Sequence, residues 1–76
     1  MKTRILRFER GVDSSGNEEI FMLVEVNTGT LLLSRAEWLT PDDIALINED
    51  EATNKTAVAD EIAERAIIVH NMNNSN

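Results

Sequence analysis

Apolar residues recur at every second position in the first third of the chain, and at spacings of three and four beyond residue 34. Thr3 to Glu9 sets Ile5, Leu6 and Phe8 among Arg4, Arg7 and Glu9, a partly alternating pattern that fits a strand with one wet face. Glu19 to Val26 is the strongest strand, with Ile20, Met22, Val24 and Val26 on one face and Phe21, Leu23 and Glu25 on the other. Both faces are mainly apolar. Between these two strands, Gly11 to Asn17 carries loop chemistry, because glycine tolerates positive φ and Asx or Ser side chains cap nearby backbone groups. Asn27 to Thr30 then supplies a tight turn, and Leu31 to Ser34 reads as the returning strand of a hairpin.

Past Ser34 the signals are helical. Ser34 and Glu37 have capping-box spacing, which predicts a helical turn over Arg35 to Leu39 that buries Trp38 and Leu39. Thr40, Pro41, Asp42 and Asp43 make a stronger start: an N-cap, a proline at the first helical position, and acids beside the unpaired N–H groups. Ile44, Leu46 and Ile47 give this helix its contacts, and Asn48 to Glu51 ends it. A second helix is expected to begin between Thr53 and Thr56 and to run toward Val69, with Val58, Ile62, Ala66 and Val69 along one side. Ile67 and Ile68 fall off that stripe, as a second buried face, a dimer contact, or a final strand over Ala66 to His70; the helix is the favoured reading. The expectation is one α+β domain over residues 1–70, a three-stranded antiparallel meander packed on one face by two C-terminal helices. A disordered tail is expected over residues 71–76.

Composition narrows the setting. With 76 residues the chain is near the lower limit for folding without metal or disulfide support, and it has no cysteine. Met1 to Arg10 is interrupted by charge throughout, with no h-region of about 7 to 15 apolar residues, and no run approaches the ~20 apolar residues of a spanning helix. A soluble, cytoplasmic protein without membrane contact is expected.

Catalytic chemistry is sparse. His70 is the single histidine and lies beside the expected tail; Ser14, Ser15 and Ser34 have no neighbouring base, and three scattered glycines make no phosphate loop. An EF-hand register starting at Asp50 places Asn54 and Glu61 correctly but puts Ala52 at position three and Lys55 at the position that needs glycine. Neither an enzyme nor a metal or other cofactor is expected. Lys2, Arg4, Arg7 and Arg10 read as protection of an edge strand, since a molecule of net charge −7 is repelled by phosphate.

The acids are the informative residues. Glu37, Asp42, Asp43, Glu49, Asp50, Glu51, Asp60, Glu61 and Glu64 fall in a stretch whose single base is Lys55. Each cluster alone has an ordinary reading as a helix start, a solvated connection or a helix face. Together they lack the interspersed bases of an ordinary surface, and on two helices they would form a discontinuous ridge of carboxylates. Such a ridge resembles a polyanion, which points to a DNA mimic that occupies the nucleic-acid-binding surface of a basic host protein.

The doublets Asp42-Asp43, Asp50-Glu51 and Asp60-Glu61, on a cysteine-free meander followed by helices, resemble the small acidic host-takeover proteins of bacteriophages. Within that group the chain is similar in character to DNA-mimic inhibitors of the bacterial nucleoid protein HU. The resemblance implies a bacterial host cell and a basic protein partner. Phage inhibitors of CRISPR complexes or of RNA polymerase share the same look, so the target stays open. Ile67 and Ile68 are the expected contact of a homodimer. The alternative from a different class is a structural or regulatory module that binds a partner through apolar surface or an edge strand.

Overall fold

The computed structural model describes residues 1–74 of the chain. Three strands, β1 (Lys2–Val12), β2 (Glu18–Asn27) and β3 (Leu32–Trp38), are followed by two helices, α1 (Pro41–Glu49) and α2 (Glu51–Asn74). The strands form one antiparallel sheet in the order β1-β2-β3, and the arrangement is α+β as the alternation and its loss predict.

Local chemistry sets the two turns. Asp13 accepts hydrogen bonds through Oδ1 from the N–H groups of Ser15 (2.8 Å) and Asn17 (3.0 Å), and Gly16 supplies the positive φ of 85°. In the second turn Asn27 Oδ1 accepts from Gly29 N–H at 2.8 Å, with Gly29 at φ 99°. The Thr28 N–H donates to Leu31 O across it at 3.0 Å, which sets the register of the β2–β3 ladder.

The period-two pattern of β2 sorts its side chains. Ile20, Met22, Val24 and Val26 are buried beneath the helices, and the core is completed by Leu39, Ile47, Val58, Ala59, Ile62, Ala63 and Ala66. Ile5, Phe8, Leu33, Ile44 and Ile67 pack around it half-buried. Three alanines on the buried side of α2 let its backbone lie close to the sheet, so burial comes from β2 and the aliphatic residues between them. Among the described residues no element covers the opposite face of the sheet, and there Trp38 meets Phe21 edge-on at a centroid separation of 5.2 Å.

Four expectations change. No helical turn forms over Arg35 to Leu39: β3 continues to Trp38, each residue paired with β2, and Trp38 lies 63% exposed on the uncovered face. Leu33, Arg35 and Glu37 alternate with Ser34, Ala36 and Trp38, and the ladder hydrogen bonds outweigh the local capping signal. Helix α2 begins at Glu51 rather than beyond Thr53, because Asp50 Oδ1 accepts from Thr53 N–H at 3.2 Å and so acts as its N-cap. Its buried stripe stops at Ala66, leaving Val69 exposed. The helix continues through Asn71–Asn74, where the tail was expected; residues 75 and 76 lie outside the described residues.

The start of α1 follows its signals. Thr40 Oγ1 accepts from Asp43 N–H at 3.2 Å, Pro41 opens the helix, and Asp42 and Asp43 occupy its first turn. Among the described residues no helix is long and apolar enough to cross a membrane.

Candidate functional site

Ion pairing divides the carboxylates into two populations. All five arginines are paired: Arg4 with Glu25 at 3.3 Å, Arg7 with Glu9 at 2.6 Å, Arg10 with Glu18 and Glu51, and both Arg35 and Arg65 with Glu37. These pairs take acids mainly from the sheet. Of the nine acids between Glu37 and Glu64, only Glu37 and Glu51 join an ion pair among the described residues. Asp42, Asp43, Glu49, Asp50, Asp60, Glu61 and Glu64 do not, and all seven belong to the helices or their one-residue link. Lys55, the base within that stretch, does not interrupt them, because its ammonium lies over the Phe8 ring at 4.8 Å on the sheet side of α2.

The position of each acid follows from its element. Asp42 and Asp43 sit at the N-terminus of α1, Glu49 closes it, and Asp50 caps α2. On α2, Val58, Ala59, Ile62, Ala63 and Ala66 face inward, while Asp60, Glu61 and Glu64 are exposed. At ~100° per residue Glu64 falls in angle between Asp60 and Glu61, about one turn along the axis, so the three carboxylates form a triangle on the outer surface.

Two acids nominated from the sequence are tied to arginines, Glu37 half-buried and Glu51 exposed. Glu37 points to the helix side of β3 with its side chain 18% exposed. Its Oε2 accepts from Arg65 Nε at 2.8 Å and from Arg35 Nε at 2.6 Å, and its Oε1 accepts from Arg65 Nη2 at 2.7 Å. Arg65 foremost, with Arg35 adding to it, holds the Glu37 carboxyl below its ordinary pKa against the opposing effect of desolvation. The Arg65 guanidinium is raised by Glu37 first, with Glu61 and Asp43 contributing as nearby charges. Glu51 is bound to Arg10 Nη1 at 2.9 Å.

Arg10 ties the sheet to the helix junction. It donates to Glu18 and Asn48 as well as Glu51, and Asn48 Nδ2 donates in turn to Glu18 Oε1 at 2.7 Å. Arg10 first and Asn48 second lower the Glu18 pKa. This cluster joins β1, β2, α1 and α2, and the wide sequence separation of its members hid it from pattern reading.

Ile67 and Ile68, expected as a dimer contact, part company: Ile67 packs against the core and Ile68 is 51% exposed. Two open grooves flank the helices. One, of about 640 Å³, includes Glu18, Glu19 and Trp38; the other, of about 730 Å³, includes Asp60, Glu64 and Ile68. Neither holds a histidine or a serine. His70 lies on the far end of α2, where its ring approaches Asn74 Nδ2 at 3.4 Å. Among the described residues no three His, Cys, Asp or Glu side chains are grouped to hold a metal ion. The arrangement offers a field of fixed negative charge on one layer.

No family model, curated protein or solved structure matches this chain.

Proposed function

We propose that this protein is a non-enzymatic binding protein whose helical layer takes the place of DNA on the nucleic-acid-binding surface of a basic protein. The observation that carries the reading is the sorting of charge. Among the described residues, arginines pair with Glu9, Glu18, Glu25 and Glu37 of the sheet and with Glu51 of α2, while Glu19 of the sheet and seven carboxylates of α1, α2 and their link join no ion pair. A surface made acidic only for solubility has no need of that segregation. Phosphate-gripping proteins offer Lys and Arg at a spacing suited to a polyanion, and a one-sided field of carboxylates speeds encounter with them. The bacterial nucleoid protein HU is the first target to test, in keeping with the likeness to phage host-takeover inhibitors.

The experiment adds the purified protein to a preformed complex of DNA with a bacterial nucleoid protein and follows DNA release at low and moderate salt. Release that weakens as salt rises, and is lost in a variant with D42N, D43N, D60N, E61Q and E64Q, is the expected result. Absence of release at every salt concentration rejects the nucleoid target.

A second reading rests on the uncovered sheet face, where Trp38, 63% exposed, stands opposite Phe21, and Leu32, 64% exposed, stands at the other end of β3 opposite Asn27. An interaction module would bind through these residues. Partner binding that survives the five neutral substitutions but is lost on W38A decides for it.

A further inference from the structure

The two edges of the sheet differ in how they are finished. β1 carries Lys2, Arg4, Arg7 and Arg10 and is broken by a register shift between Ile5 and Arg7, features that discourage pairing with another strand. β3 has neither a bulge nor a proline, and keeps uninterrupted register with β2 from Leu32 to Trp38. Its outward backbone can be identified. Thr28 N–H donates to Leu31 O at one end of the ladder and Leu39 N–H to Ile20 O, both at 3.0 Å or less, at the other. Strand alternation then aims the N–H and C=O groups of Leu33, Arg35 and Glu37 at β2, and those of Ser34, Ala36 and Trp38 away from the sheet. All three of these outward residues are exposed.

We propose that the β3 edge pairs with the β3 edge of a second copy of this chain, antiparallel about a two-fold axis at Ala36, to give a continuous six-stranded sheet. Charge favours this register over its immediate neighbours. Arg35 and Glu37 share the helix side of the strand, one on either side of Ala36. With the axis at Ala36, each Arg35 stands opposite Glu37 of the other copy, twice over by symmetry. Moving the axis to Arg35 sets two guanidinium groups face to face, and moving it to Glu37 sets two carboxylates face to face, both unfavourable. Ala36, the small residue of the edge, falls on the axis, and its outward backbone groups bond to themselves across it. Ser34 and Trp38 of the two copies complete the ladder on either side. Glu37 already receives Arg35 and Arg65 of its own chain, so the facing guanidinium joins a carboxylate that is fixed in place.

This inference is independent of the DNA-mimic reading, and either stands if the other fails. Its consequence for that reading is geometric: the two-fold axis is normal to the sheet, so both helical layers lie on the same side.

Sedimentation equilibrium across roughly micromolar to millimolar protein is expected to show a monomer–dimer equilibrium. A36K and A36D, on the exposed face away from the core, are each expected to raise the dimer dissociation constant about fivefold or more with unchanged thermal unfolding, and an equimolar mixture of the two to regain dimer. The register is read by disulfide formation, which the absence of native cysteine leaves unambiguous. Mild oxidation is expected to cross-link A36C, whose Cα atoms would lie about 5.5 Å apart, but not S34C, four residues out of step with its copy. A monomer throughout the range, a dimer indifferent to both charges at position 36, or preferential cross-linking of S34C overturns the proposal.

Discussion

Arg65 on α2 grips Glu37 on β3 with two parallel hydrogen bonds, Nε to Oε2 at 2.8 Å and Nη2 to Oε1 at 2.7 Å. The fork of the guanidinium matches the carboxylate, so the contact fixes direction as well as distance between helix and sheet. R65M should destabilise the fold by about 1–2 kcal/mol, because it leaves a half-buried carboxylate with Arg35 alone. Urea unfolding at neutral pH measures the loss.

The same pair gives stability a pH dependence of known sign. The folded Glu37 pKa is depressed, so its contribution is fully present above the unfolded carboxylate value and is lost as pH falls through the folded one. Unfolding midpoints taken from neutral pH into the acid range should fall less steeply in E37Q than in the parent chain. Equal slopes would mean that other carboxylates carry the acid sensitivity.

Removing Arg10 should act on motion at the junction. R10A unpairs Glu51 and leaves Glu18 and Asn48 bonded only to each other, and amide hydrogen exchange over residues 48–53 is expected to quicken while that of Val24 and Ile62 stays slow. Under the DNA-mimic proposal the same variant exposes two more carboxylates and steepens the salt dependence of partner binding.

Asp60 and Glu64 are one helical turn apart with like charge, a pairing that weakens a helix by about 0.2–0.5 kcal/mol. E64Q should therefore raise the thermal midpoint slightly while lowering partner affinity. A gain in stability with no loss of binding would assign this carboxylate a bystander role.

In the core, I62A is expected to cost about 2–5 kcal/mol, since Ile62 is wholly buried against the β2 face. For a domain this small that is a large share of the total, and circular dichroism should show a partly or fully unfolded population at room temperature.

The parts of the fold set by near neighbours were legible in the sequence. The alternation of Ile20, Met22, Val24 and Val26, the glycine turns and the Thr40-Pro41 helix start all follow from residues within a few positions of one another. The sequence misleads where local and distant signals compete. Ser34 and Glu37 have the spacing of a capping box, but pairing to β2 and the grip of Arg65 hold Glu37 in a strand. The burial of Ala59 and Ala63 leaves little trace in the sequence, because alanine adds little to a hydrophobic pattern although it is what lets α2 approach the sheet. The charge pattern located the acids. Their division into ion-paired and unpaired sets depends on contacts such as Arg10 to Glu51, 41 residues apart, and is visible only in three dimensions.

Asp50 alone joins the two helices, its backbone N–H closing α1 on Leu46 O at 3.3 Å and its side chain opening α2. A link of one residue has no slack, and Asn54 Nδ2 fastens it further by donating to Leu46 O at 2.6 Å. The two helices are therefore closely coupled, and the backbone positions that carry the carboxylates keep set intervals while the exposed side chains keep their rotamer freedom. Under the DNA-mimic proposal a partner meets two helices whose backbone order was set on folding, and the entropy lost on binding falls on the exposed side chains of both surfaces.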